Sequence, residues 1–275
     1  GTFWPRLLAR NTNYRGRFAR VRRGYVVDPW DWATFQTELY VIDSMRSANG
    51  SDSITVVLKD PIKIADTVKI PAPTDGKLTA DITSSATTLP LGTGKGAQYD
   101  LYGYPCWVRI ADEVIKIDSR TGDTLNVNAS GHAQFNTIAA AHKTNDVVQL
   151  CKVYSAVPLT DVLISLWNLA GLTNTYIDTA GFTVEENNWL GAKYYITTCL
   201  AEPETASALI SELVREAAGM QWWDQIAQKL KFKVNRPGTV DAVIPLLTDE
   251  ANFILDSVSL DVLDAERITY SALYY

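Results

Sequence analysis

Leu209-Ile210-Ser211-Glu212-Leu213-Val214-Arg215-Glu216-Ala217-Ala218-Gly219-Met220-Gln221-Trp222-Trp223 changes its hydrophobic period once, and that change decides how the chain is read. Leu209, Ile210, Leu213 and Ala217 recur at the three-and-four spacing of one helix face, with Pro203 placed to open the helix in its first turn and Gly219 to close it. From Met220 the pattern becomes strand-like. Met220-Gln221-Trp222-Trp223 and Leu230-Lys231-Phe232-Lys233-Val234 flank the polar turn Asp224 to Lys229, and the second arm alternates apolar with basic residues. An amphipathic helix with a hairpin beside it is predicted. Between Glu202 and Val234 there is no nucleophile, metal cluster or phosphate loop, so this stretch reads as scaffold.

Working outward, β-branched and aromatic runs predict strands at Gly24 to Val27, Leu39 to Ile42 and Ile54 to Leu58, separated by Asp28-Pro29 and by Ser47-Ala48-Asn49-Gly50-Ser51. A β-meander is the simplest arrangement of the three. After Asp60-Pro61, Ile62 to Val68 fits a helical turn or two. Pro71 to Gly76 has linker composition, and short strands then follow at even spacing: Thr87 to Leu91, Cys106 to Ile110, Glu113 to Ile117, Thr124 to Asn128 and Val147 to Val153. Ala111-Asp112 makes a hairpin of the second and third. Past Lys152, Leu159, Val162, Leu163, Leu166, Leu169 and Ala170 predict a helix that Gly171 ends. Phe182 to Leu190 reads as a short helix, Tyr194 to Thr198 as a strand, and the tail as strands at Phe253 to Val262 and Ile268 to Tyr275. The expected fold is α+β and β-rich: an antiparallel sheet domain with a few helices (1–72 and 153–275) carrying an inserted small β-barrel or sandwich (73–152).

At 275 residues the chain has ample length for a core, and a net charge of −6 argues against a general nucleic-acid binder. The charge is unevenly spread, since Arg6, Arg10, Arg15, Arg17, Arg20, Arg22 and Arg23 all precede the first acidic residue, Asp28. Cys106, Cys151 and Cys199 are odd in number and widely spaced, which points to reduced thiols and away from a disulfide framework or zinc site. No apolar run has membrane-spanning length. Gly1-Thr2-Phe3-Trp4 has neither Met nor a signal-peptide pattern, and the chain is read as a fragment of something longer.

The residues that invite chemistry each have a plainer reading. His132 and His142 are the only histidines, both in Gly/Ala/Asn/Thr-rich stretches with no acidic or Cys cluster at ligand spacing, so loop polarity is expected. Gly92-Thr93-Gly94-Lys95-Gly96 lacks the spacing of a phosphate loop and no helix pattern follows it, so it is expected to be a turn. The adjacent carboxylates Asp112-Glu113 and Glu185-Glu186 do not share a face and are expected on a solvated surface. Trp222 and Trp223 should point to opposite faces of their strand, one into the core and one onto a neighbouring surface. The Arg-rich segment, interleaved with Tyr14, Phe18 and Tyr25, suits a solvated strand face or ion pairs at a subunit contact better than a phosphate backbone. No catalytic, cofactor-binding or metal-ligating residue is assigned. The candidate assembly interface is Arg15, Arg17, Arg20, Arg22, Arg23, Trp222 and Trp223.

Trp4 with Tyr14-Arg15-Gly16-Arg17-Phe18-Ala19-Arg20-Val21, then Tyr40-Val41-Ile42-Asp43-Ser44 and Ile54-Thr55-Val56-Val57-Leu58-Lys59-Asp60-Pro61, resembles the sheet domain of tail-tip baseplate hub proteins of long-tailed bacteriophages. Val108 to Ile115 and Ala139 to Gln149 are similar to the small β-domain that phage tail proteins carry. Leu209 to Leu213, Gly219 to Trp223 and Glu266-Arg267-Ile268 resemble the helix, hairpin and closing strand of the same hub. The resemblance implies a structural virion protein, not an enzyme: a homotrimeric ring at the distal end of the tail tube, adapting tube symmetry to the tip. It implies assembly in the host bacterial cytoplasm and contact with distal-tail, tape-measure or central-fibre proteins. The alternative from the residues themselves is a carbohydrate-binding or carbohydrate-cleaving tip module using exposed Trp and convergent carboxylates, and a further one is DNA contact through the Arg segment.

Overall fold

A computed structural model describes residues 3–10, 12–25, 27–47, 54–191 and 194–235. The two predicted tail strands and the turn predicted at Ala48 to Ser51 lie outside these residues.

The chain opens with a helix, α1 (Phe3–Arg10), where only strands were expected. The meander follows as β1 (Phe18–Arg23), β2 (Gln36–Ser47) and β3 (Ile54–Lys59), all antiparallel, with β2 central. Its first strand is therefore the Arg-rich stretch, not Gly24 to Val27. Phe18 pairs with Val41 and Arg23 with Gln36, so the arginines occupy an edge strand whose outer face meets water. Tyr25 lies beyond the strand and is exposed, and Val26 is outside the described residues. Next come a 3-10 helix at Pro61–Asp66, capped by the Asp60 carboxylate on the Ile62 amide at 3.0 Å, and β4 (Lys69–Ile70).

β5 (Thr88–Pro90), β6 (Cys106–Ile110), β7 (Glu113–Thr121), β8 (Thr124–Val127), β9 (Val148–Pro158) and β10 (Tyr195–Leu200) make a six-stranded antiparallel sheet ordered β10-β9-β6-β7-β8-β5. The segment 76–79 reaches two of these strands by backbone bonds. Val148 N donates to Gly76 O, Leu78 N to Asp146 O, and Thr79 N to Pro90 O. Between β9 and β10 lie α2 (Leu159–Leu169), α3 (Thr179–Glu185) and a π-helical turn, Glu186–Leu190. After β10 come β11 (Glu204–Thr205), paired with β4, then α4 (Ala206–Glu216), β12 (Gly219–Asp224) and β13 (Lys229–Val234).

The helix-hairpin unit forms with both ends shifted inward. Thr205, not Pro203, caps α4, and its hydroxyl accepts from the Ala208 amide at 3.4 Å. Ala218, at φ 47°, makes the left-handed exit, which leaves Gly219 to begin β12. Gly219 is kept small by the ring of Phe232, 2.5 Å from where a Cβ would stand.

Two hydrophobic clusters result among the described residues. One gathers Leu39, Ala65 and Ile70 from the first part of the chain with Leu163, Phe182, Ile210, Trp223, Leu230 and Phe232 from the last part. The other is built entirely between Leu78 and Leu150, around Tyr99, Val108, Ile115 and Leu125. β9 serves both, with Leu150 in the second and Tyr154 in the first. No helix among the described residues is long and apolar enough to cross a membrane.

Candidate assembly surface and a buried carboxylate

β1 offers one edge of the meander to solvent, and the arginines on it and in the turn before it divide by what they meet. Arg15 reaches Asp43 at 3.3 Å, and Asp43 also binds Lys59 at 3.0 Å. The Lys59 ammonium, with the Arg15 guanidinium, holds the Asp43 carboxyl below the usual carboxylate range. Arg23 reaches Glu38 at 3.4 Å, and the Arg22 guanidinium lies 4.9 Å above the Trp32 ring. Arg17 and Arg20 are exposed and meet no carboxylate among the described residues.

Beside this edge stands a cluster that sequence reasoning missed. Trp30, Trp32 and Phe35 pack on one another with ring centroids 5.1 to 5.4 Å apart, yet Trp30 is 51 % and Trp32 56 % exposed. The Asp31 carboxylate, which accepts from the Ala33 amide at 2.8 Å, folds the 3-10 helix Trp32–Thr34 that sets their spacing. Trp30-x-Trp32-x-x-Phe35, just after a Pro break, is the signal that was available.

Trp222 and Trp223 take opposite faces of β12. Trp223 is buried, donates from Nε1 to Gln225 Oε1 at 3.2 Å, and faces Tyr176, whose ring also contacts Phe18 of β1. Trp222 is partly exposed opposite Lys231. The hairpin turn is bound to the meander as well: Gln225 Oε1 accepts from the Leu39 amide at 3.2 Å, and Gln228 Nε2 donates to Thr37 O at 3.0 Å. The arginine strand and the tryptophan hairpin thus belong to one packed body.

The histidines overturn the loop-polarity expectation. His132 Nδ1 lies 2.7 Å from Glu113 Oε1, and His142 Nε2 lies 2.8 Å from Glu113 Oε2. The Ala133 and Ala140 amides donate to the same carboxylate. Glu113 is 1 % exposed, so it is not on a solvated surface. Its phase explains why: on β7 it shares a face with Ile115 and Ile117, both fully buried. Burial pushes this carboxyl up, but the donors from His142, Ala140, His132 and Ala133 outweigh burial and hold it below the usual range. The group ties the loop 130–142 to β7.

Glu185 is also buried and accepts from the Val234 amide at 2.9 Å, while Glu186 accepts from Thr160 Oγ1 at 3.0 Å. These carboxylates cap backbone and hydroxyl donors, and their positions too depart from the expected solvated surface. In the glycine loop the Gly94 and Gly96 amides donate to the Asp123 carboxylate at 2.9 and 2.8 Å. A 3-10 helix, Gly96–Asp100, does follow that loop. The three cysteines are free, and no group of three or more His, Cys, Asp or Glu among the described residues is arranged to hold a metal ion.

No family model, curated protein or solved structure matches this chain.

Proposed function

We propose that this chain is a structural subunit that assembles with copies of itself, as a homotrimeric ring at the tip of a phage tail tube in contact with other tail proteins. The observation that carries this reading is the surface of the meander: an edge strand whose exposed Arg20 meets no carboxylate among the described residues, with Arg22 on the Trp32 ring of a solvent-exposed Trp30/Trp32/Phe35 cluster beside it. Trp, Tyr and Arg together are the composition of interface hot spots. The titratable residues most suited to catalysis support it from the other side, because Glu113, His132, His142, Glu185 and Asp123 are engaged in holding backbone and loops. In this reading the sheet centred on β6 and β7, with the segment 76–79 bridging toward β5 and β9, is a small closed barrel carried by the ring-forming part. Light scattering on the longest soluble form of the protein tests the proposal: a trimer is expected, and a monomer at every concentration overturns it.

Exposed Trp30 and Trp32 also favour a second reading, carbohydrate binding by stacking. The two rings meet edge to face at 84°, which is not a flat platform for a sugar ring, so this reading ranks below assembly. Glycan binding lost in Trp30→Ala and Trp32→Ala would reverse the order.

A further inference from the structure

A ring needs a heterologous contact, in which each chain presents two different surfaces that fit each other. We propose that the Arg20/Arg22 and Trp30/Trp32 face docks head to tail into the groove between α4 and β10 of a second copy, an inference that rests on the assembly reading above. That groove holds about 200 Å3, is floored by Ile196, Leu200, Leu209 and Leu213, and is rimmed by Glu212 and Glu216. Both glutamates are exposed on α4 and meet no cation among the described residues. On the other face, among the described residues, Arg20 meets no carboxylate and Arg22 lies on the Trp32 ring.

The occupant follows from this pairing of opposites. One surface sets the Arg20 and Arg22 guanidinium groups beside exposed indoles, the other is apolar with Glu212 and Glu216 at its rim, and both sit on the same chain. Each supplies what the other lacks: a ring for the groove and a counter-charge for the rim. Among the described residues, β1 and β10 are also edge strands of their respective sheets.

The test uses the full chain and three charge variants, with mass read by sedimentation over a range of concentration and salt. Arg20→Glu with Arg22→Glu, and separately Glu212→Arg with Glu216→Arg, should each weaken association about ten-fold or more, since like charges then face each other. Combining all four substitutions in one chain should restore association, and salt should weaken the wild-type contact. A wild type that assembles while both pairs leave its mass unchanged overturns the docking and leaves the assembly reading standing. A wild type that is monomeric throughout overturns both. If a charge variant loses its circular dichroism, Trp30→Ala and Glu212→Gln with Glu216→Gln are read by the same criterion.

Discussion

His132 and Glu113, nineteen residues apart in sequence, meet at 2.7 Å beneath the surface, and the other ring nitrogen of His132 lies 2.9 Å from the Ala86 carbonyl oxygen. With His142 on the second carboxylate oxygen, one side chain on β7 fastens the loop that returns the chain to β9. Ala133, which donates its amide to Glu113, is held at φ 54°, a backbone region that non-glycine residues rarely occupy without support. Glu113→Gln replaces one acceptor oxygen by a donor facing donors, so it should destabilise the protein by about 2–4 kcal/mol. Urea unfolding measures this, and a loss below the usual surface effect would show that the carboxylate is dispensable.

The same carboxylate sets an acid limit. Its folded pKa is lowered from 4.5, so its contribution is fully present above the ordinary glutamate range and is lost as pH falls through the folded value. The titratable groups around it are His132, His142 and Asp146, the last 3.9 Å from His142 Nδ1. Stability should therefore fall below about pH 4.5, and amide exchange at Ala133 and Ala140 should rise before that of the core strands. Glu113→Gln should flatten this part of the pH profile.

Gly76 has no room for a side chain, because a Cβ there would strike the hydroxyl of Tyr99. Tyr99 is fully buried, and its hydroxyl donates to Val148 O at 2.6 Å. Gly76→Ala should destabilise by about 1–3 kcal/mol through overpacking. Adding Tyr99→Phe, itself harmful through the lost bond, should recover part of that cost. Strictly additive losses in the double mutant would exclude the clash as the cause.

Gln225 joins the hairpin to the meander by accepting from both Leu39 N and Trp223 Nε1. Gln225→Ala leaves two partly buried donors without their acceptor and should cost about 1–3 kcal/mol. Exchange at the Leu39 amide, followed by NMR, should accelerate more than exchange at Ile210 on α4. Equal acceleration would mean a global effect rather than loss of this link.

Much of this architecture was legible where one face of an element is apolar. Leu159 to Ala170, Cys106 to Ile117 and the Trp222–Phe232 hairpin follow their predicted periods because burial enforces them. The Arg strand was placed too late, since an edge strand tolerates charge and, of its side chains, Phe18 alone packs against the core. Glu113 was misplaced by its charge, although its register with Ile115 and Ile117 pointed inward. What sequence did not reveal is which partners make a buried carboxylate tolerable, because His132 and His142 come from a loop whose path exists only in the fold. The Trp30/Trp32/Phe35 cluster escaped notice because Asp28-Pro29 reads as a break, and the three-residue helix after it is set by one Asp31 cap.

Self-assembly would show in the mass of the native particle in solution. Light scattering on the longest soluble form, across a hundred-fold range of concentration on the order of micromolar, should give three times the chain mass, with the Arg20→Glu/Arg22→Glu variant shifted toward one. A wild-type mass of one chain at every concentration would contradict the account.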